Sequence, residues 1–220
     1  MVSTDKPKIL LMCLSYRAFL DESYSPLFDS LLEVAHVKRA KTVSAAIRAL
    51  ASTTFKAVII ANEGLTECDP ANQEVLARVK TYIENGGLAI AGLHFPNFTP
   101  MDRFKVFFRA FGLPWKDGDY HRTTFQLNPS ATLPERTEPA SLPGPYSMKA
   151  LHVTNARPQE KIFVPIEGAA TQSHVFAPEY VDQTQAAVVG ARLGLGHLVY
   201  CGDVNGEDGL NQLMLALCGF

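Results

Sequence analysis

The stretch Gly86-Gly87-Leu88-Ala89-Ile90-Ala91-Gly92-Leu93-His94 constrains this chain more than any other. Two glycines stop the preceding helix. Five mostly apolar residues then follow without polar alternation, the pattern of a central parallel strand covered on both faces. Open α/β sheets bind ligands outside the carboxyl ends of their strands. His94 stands at such an end, with neither a serine nor a cysteine beside it.

The same grammar recurs along the first 110 residues. Lys8 to Leu14 is a continuous apolar run that ends at Ser15-Tyr16-Arg17. Ser25-Pro26 opens a helix through Val34, with proline in its first turn. His36 to Ala40 is a more polar strand suited to a sheet edge, and Thr42 caps a second helix. Lys56 to Ala61 is a strand ending at Asn62-Glu63-Gly64. Asp69-Pro70 starts a helix whose apolar face carries Val75, Leu76, Val79 and Ile83, and Asn85-Gly86-Gly87 stops it. Thr99-Pro100 opens a helix with Phe104, Phe107, Phe108 and Phe111, a stripe that reads as core. Strands alternating with helices imply a parallel sheet with right-handed crossovers.

The rest of the chain changes character. Residues 114–147 are proline-rich and read as a long loop excursion with one strand inside it, Thr123 to Leu127; loops of this length are usually functional. Lys149 to Val153 and Lys161 to Pro165 are further strands. Residues 186–192 and 197–201 flank Leu193-Gly194-Leu195-Gly196, a hairpin signal. A helix from Leu210 to Leu217 closes the chain. The reading is one α/β domain over residues 1–220, with a mainly parallel central sheet and a C-terminal antiparallel hairpin.

With 220 residues and 47% hydrophobic content, one well-buried domain is expected. A net charge of −2 gives no global field for nucleic acid or an anionic membrane, so neither is an expected partner. The basic cluster Lys38, Arg39 and Lys41 reads as a solvated strand edge. Cys13, Cys68, Cys201 and Cys218 form no C-x-x-C pair, which argues against a zinc ribbon or a dithiol motif. Met1 to Lys8 is polar and runs into a strand, without the pattern of a signal peptide. No apolar run approaches a membrane-spanning length. A cytoplasmic, reducing location is expected.

The strand ends gather the polar candidates. His94 can serve as a base, a metal ligand or a hydrogen-bond donor; a histidine satisfied by its neighbours is the equal alternative. Glu63 can act as base or ligand, or be an exposed loop carboxylate. Asp203 can orient His94 or cap the terminal helix. These three are the catalytic candidates. Ser15, Tyr16, Asn62, His121 and Asn205 are the substrate-binding candidates, with Arg17 close by and His174 reaching in from a loop. His94 and His121 with Asp203 or Glu63 offer ligand types suited to a divalent ion, but no short histidine spacing supports one. No cofactor is therefore assigned, and a divalent metal stays open. Trp115, Tyr120 and Tyr146 either anchor the long loop, the favoured reading, or stack on a ligand.

Two segments carry a resemblance. One is the Leu65-Thr66 turn, the helix Val75 to Ile83, and Glu84 through His94. The other is Gly196 through Glu207. Together they resemble the class I glutamine amidotransferase-like superfamily and, within it, the ThuA-like (trehalose-utilisation) branch. The resemblance implies a three-layer flavodoxin-like sandwich. Active amidotransferases carry a cysteine in a G-x-C-x-G turn, where this chain has Gly92-Leu93-His94-Phe95-Pro96. Their His-Pro-Glu type triplet is replaced by Asp203-Val204-Asn205. Glutamine hydrolysis needs a nucleophile with a positioned base, so glutaminase activity is not expected; Cys13 and Cys68 belong to other elements. The ThuA-like resemblance implies a small sugar- or polyol-derived substrate handled around His94. The alternative is a non-catalytic ligand-binding or assembly module of the same fold, with a homodimer through a sheet edge or helices. Ser15 and Ser173 lie in no G-x-S-x-G elbow, so a serine hydrolase has poor support.

Overall fold

The computed structural model describes residues 6–173 and 175–220. Its strands are β1 (Lys8–Met12), β2 (His36–Ala40), β3 (Ala57–Ile60), β4 (Leu88–Ala91), β5 (Lys116–Leu127), β6 (Tyr146–Thr154), β7 (Lys161–Pro165), β8 (Val188–Leu193) and β9 (Gly196–Cys201). They form one sheet in the order β2-β1-β3-β4-β9-β8-β7-β5-β6. The helices are α1 (Phe19–Ser23), α2 (Ser25–Val34), α3 (Val43–Ser52), α4 (Pro70–Glu84), α5 (Phe95–Phe98), α6 (Met101–Ala110) and α7 (Asp208–Leu217).

The sheet has two characters. From β2 to β9 every pairing is parallel; from β9 to β6 every pairing is antiparallel. The α/β reading and the hairpin of β8 and β9 stand. The antiparallel part is larger than expected, because the segment read as a loop over 114–147 opens with the twelve-residue strand β5, which begins seven residues before Thr123. Its alternation is hard to see because Lys116 to Arg122 is polar and bulged: pairing with β6 shifts register between Asp117 and Tyr120.

β1, β3, β4 and β9 are apolar because both faces are covered. Ile9, Leu11 and Cys13 enter one buried cluster with α2 and α7 residues, while Leu10 and Met12 enter another with residues of α3, α4 and α6. β2 sits at the edge, as its polarity suggests. Thr42 caps α3 through Ala45 N, and Asp69 caps α4 through Ala71 N and Asn72 N.

β6 is the last strand of the order, yet its free side is not bare. Ala150 bridges Asp203 and Val153 bridges Ala186. Leu151 N donates to Gly202 O at 3.0 Å, and Val204 N to Lys149 O at 3.0 Å. The antiparallel end thus curls back onto the chain flanking β8 and β9. Gly202 permits this closure: a Cβ there would lie 2.2 Å from Leu151 O. Covering an edge in this way removes a template for unwanted pairing.

Candidate functional site

β1, β3 and β4 are parallel neighbours, so the turns after them lie together at one edge of the sheet. The turn after β4 is a sharp strand-to-helix corner. Leu93 sits there with φ of +60° and is fully buried. A left-handed residue at such a corner is the geometry of a nucleophile elbow. The sequence alone suggested His94 as its apex; the backbone puts Leu93 there and leaves His94 at φ −75°. A leucine in this conformation costs about 1–2 kcal/mol. Backbone bonds hold it in place: His94 N donates to Ala61 O and Phe95 N to Gly92 O, each at 3.0 Å.

The His94 ring is 3% exposed. It is walled by Phe19, Phe98 and Tyr24, with ring centroids at 4.7, 5.1 and 5.5 Å. Its nitrogens make no hydrogen bond to any described residue. Burial pushes the imidazole below its ordinary range, the Arg17 charge adds to this, and Glu63 opposes it. The ring is therefore neutral at pH 7. Phe19 and Phe98 themselves remain 43% and 36% exposed, so the cover over His94 is a shelf open to solvent.

Glu63 begins a short 3-10 turn after β3 and is buried. Arg17, from the turn after β1, takes both of its oxygens: Nη1 to Oε2 at 2.9 Å and Nη2 to Oε1 at 2.5 Å. The same guanidinium lies 4.1 Å over the Phe98 ring. Asn62 acts as a strut, its Oδ1 accepting from Ser15 N and Gly64 N, both at 3.2 Å. Gly64 is needed for that approach, since a Cβ would lie 2.6 Å from Leu14 Cβ. Tyr16 is engaged elsewhere: its hydroxyl donates to Asp21 at 2.6 Å, and Lys41 lies 3.4 Å from its ring. Asp21 also pairs with Arg39.

Asp203 belongs to a second cluster. It is 0% exposed, accepts from Tyr146 OH at 3.3 Å, and accepts from Asn205 N at 3.2 Å. Burial pushes its carboxyl up to about 7. Asn205 Nδ2 donates to Glu207 at 3.1 Å, and Glu207 holds Arg122 at 2.6 Å. Glu207, rather than Asp203, occupies the position before α7. Nor does Asp203 orient the His94 ring. The link between them is Tyr24, whose ring packs on His94 while its hydroxyl donates to Val204 O at 3.2 Å.

His121 is not at His94 either. It lies on β5 against His152 of β6, ring centroids 4.3 Å apart, and His152 packs edge-on against Phe125. His121 Nε2 and both ring nitrogens of His152 are buried without a partner among the described residues. Burial, then the neighbouring His121, pushes His152 down to about 3. Sequence reading missed His152 because only strand pairing brings it to His121. His174 lies outside the described residues. Among the described residues no group of three or more His, Cys, Asp or Glu could hold a metal ion, so the divalent set of His94, His121 and a carboxylate is not assembled.

The loop aromatics separate. Trp115 is core, donating from Nε1 to Glu160 at 3.0 Å. Tyr146 serves Asp203. Tyr120 is exposed under Lys149. Burial raises the thiols of Cys13 to about 11 and of Cys218 to about 12, and raises Cys201 further, so none is a ready thiolate. A groove of about 1180 Å³ lies at the opposite edge of the sheet. No described helix is long and apolar enough to cross a membrane.

No family model matches the chain, and no curated protein matches it. Solved structures do. A ThuA-like protein from Bacteroides uniformis ATCC 8492 overlays with a TM-score of 0.59 at 10% identity, covering 99% of this chain and 91% of that one. A ThuA-like protein from Parabacteroides merdae ATCC 43184 gives 0.60 at 11%, covering 97% and 89%. The beta-galactosidase of Bacillus circulans sp. alkalophilus gives 0.52 at 12%, covering 97% of this chain but only 31% of that one. This chain therefore spans about a third of that enzyme's length. At these identities the likeness concerns the fold alone, and the fold is ThuA-like.

Proposed function

We propose that this chain is a domain of the class I glutamine amidotransferase-like superfamily that has lost glutaminase chemistry and serves as a binding module. The observation that carries this reading is the nearly buried His94, walled by Phe19, Tyr24 and Phe98, next to an elbow whose apex is the inert Leu93. A general base must reach the proton it removes, and three aromatic rings leave this histidine only 3% exposed. Glu63 has both oxygens committed to Arg17. Two partly exposed rings with a guanidinium beside them form a shelf suited to the apolar face and hydroxyls of a small sugar- or polyol-derived molecule. The scaffold is a three-layer, flavodoxin-like arrangement, with α2 and α7 residues on one face and those of α3, α4 and α6 on the other. The partners are a small molecule and a second copy of the chain, without nucleic acid, membrane or cofactor. A fold that also forms a third of a beta-galactosidase chain is not tied to one activity.

The test is a panel of sugars and polyols followed by thermal shift and by NMR of the ligand. A Tm rise that Phe98→Ala abolishes, with the ligand unchanged over hours, supports the module. Turnover that disappears in His94→Ala overturns it.

One observation favours an enzyme as the second reading. Asp203 is a fully buried carboxyl raised to about 7 beside a tyrosine hydroxyl, and perturbed groups of this kind concentrate at reacting sites. Turnover lost in Asp203→Asn but retained in His94→Ala would move the chemistry to that cluster.

A further inference from the structure

The chain that leaves β9 crosses the inner wall of the His94 shelf. Residues 203–207 form a strap there, fixed on both sides. Val204 N donates to Lys149 O of β6 at 3.0 Å. Val204 O accepts from Tyr24 OH at 3.2 Å and from Asn97 Nδ2 of α5 at 3.5 Å. Tyr24 packs on the His94 ring, and α5 also carries Phe98, another wall of that ring. Gly206 lies so close to Ser23, the last residue of α1, that a Cβ would collide with Ser23 O. Gly209, in the first turn of α7, has the Tyr146 ring against it in the same way. The inner side of the cover over His94 thus hangs on one carbonyl, that of the residue after Asp203.

Asp203 begins this strap and is its fully buried member, whereas residues 204–206 are half-buried and Glu207 is exposed. An ionised carboxylate offers about four acceptor sites. Here two donors reach it, Asn205 N at 3.2 Å and Tyr146 OH at 3.3 Å. The charged and titratable groups that face it come from every element around it. Glu207 repels its charge, and Arg122 of β5 attracts it but is held by Glu207 at 2.6 Å. Tyr146 is on β6, the Cys201 thiol on β9 and the Tyr24 phenol between α1 and α2; all three are raised and neutral at pH 7, by burial first and in part by Asp203. Burial outweighs the donors and Arg122, and the Asp203 carboxyl is pushed up to about 7. An ionised group in such a site is stabilised by reaching water. An outward shift of the half-buried strap is what brings water to it.

We propose that residues 203–207 are a proton-controlled gate to the His94 shelf: with Asp203 neutral the strap is closed, and ionisation of Asp203 moves it outward, releases Tyr24 and Asn97, and uncovers His94. The closed strap keeps the carboxyl at about 7, whereas in the opened strap it returns to its ordinary 3.8, so opening releases a proton. Opening therefore grows about tenfold per pH unit between those limits and levels off above the upper one. The gate governs access alone and does not depend on how the shelf is read.

The experiment is amide hydrogen exchange of the full chain, read by NMR as protection factors, which remove the intrinsic pH dependence of exchange. Val204 N, bonded to Lys149 O, reports the strap, and Gly87 N, bonded to Tyr82 O at the opposite edge of the sheet, is the control. Between pH 5 and 7 the protection of Val204 should fall roughly fiftyfold, and that of Gly87 should not follow. Modification of His94 by diethyl pyrocarbonate, read by mass spectrometry relative to Asp203→Asn at each pH, should quicken in step. In Asp203→Asn itself the protection of Val204 should not fall as pH rises. Tyr146→Phe removes a donor to the ionised carboxyl, so its levelling-off should move to higher pH; this variant decides should Asp203→Asn not fold. Protection that is flat from pH 5 to 7, that falls equally in Asp203→Asn, or that falls without faster modification of His94 overturns the proposal. Failure of the shelf to bind any sugar or polyol would refute the module and leave the gate standing.

Discussion

Arg17 and Glu63, 46 residues apart, meet in a two-point contact at the carboxyl edge of the sheet, with both carboxylate oxygens held. The pair joins the turns after β1 and β3 and places the guanidinium over Phe98. The Glu63 side chain is 9% exposed and that of Arg17 33%. Removing Arg17 strands a nearly buried carboxylate, which costs more than losing a surface pair and less than breaking a fully buried one. Arg17→Ala should lower stability by about 1–3 kcal/mol, with Glu63→Gln costing less. Urea denaturation of both variants measures this; equal losses would refute the asymmetry.

Leu93 pays conformational strain to keep an apolar side chain in the core. Leu93→Gly relieves about 1–2 kcal/mol of strain but removes a fully buried leucine, worth about 2–5 kcal/mol. The net expectation is destabilisation of about 1–3 kcal/mol. Asn155, at φ +63°, is the other described non-glycine residue in this region. There Asn155→Gly should be close to neutral, because asparagine tolerates the conformation. A stabilised Leu93→Gly in the same assay would mean that strain outweighs packing at the elbow.

Two buried groups give opposing pH dependence. His152 is held neutral down to about 3, against an ordinary 6.5, so the unfolded chain binds more protons and stability falls as pH drops below 6.5. Asp203 is raised to about 7 from 3.8, so the folded chain binds more protons and stability rises as pH drops from 7 towards 3.8. Between pH 7 and 5 each effect is about 2 kcal/mol. They nearly cancel in the native chain. His152→Leu should make the protein more stable on mild acidification, and Asp203→Asn less stable. Chemical denaturation at pH 7, 6 and 5 checks both slopes, and parallel slopes in the two variants would disprove the assignment.

Trp115 is the single tryptophan and is buried, so its fluorescence reports unfolding of the region where β5 begins. Its indole N–H satisfies Glu160, which also accepts from Arg157 N at 2.8 Å. Trp115→Phe deletes the donor and leaves a gap, for an expected loss of about 1–3 kcal/mol. A loss near zero by circular dichroism would show that Glu160 is satisfied without it.

The parallel half of the sheet was legible because its signals are local. The Asp69-Pro70 start and Asn85-Gly86-Gly87 stop of α4 each lie within a few residues of what they control, and the unbroken apolar runs of β1, β3 and β4 report burial on both faces. β5 was read short because its first residues are polar and bulged, which hides the period-two pattern. The strand ends brought Arg17, Asn62, Glu63 and His94 to one edge of the sheet. They did not show that Phe19 and Phe98 cover the imidazole or that Tyr16 turns to Asp21.

The sequence by itself determined the strands and the longer helices of the parallel half, the hairpin of β8 and β9, and which polar residues follow the parallel strands, since periodicity, caps and turn residues act over one or two turns of chain. Only the tertiary structure decided that Leu93 rather than His94 bends through the elbow, that Asp203 pairs with Tyr146, that His121 faces His152, and that β6 folds back onto Gly202. Each of these joins or packs groups brought together by chain folding. Their energies come from burial and long-range pairing, which leave no periodic trace in the order of residues.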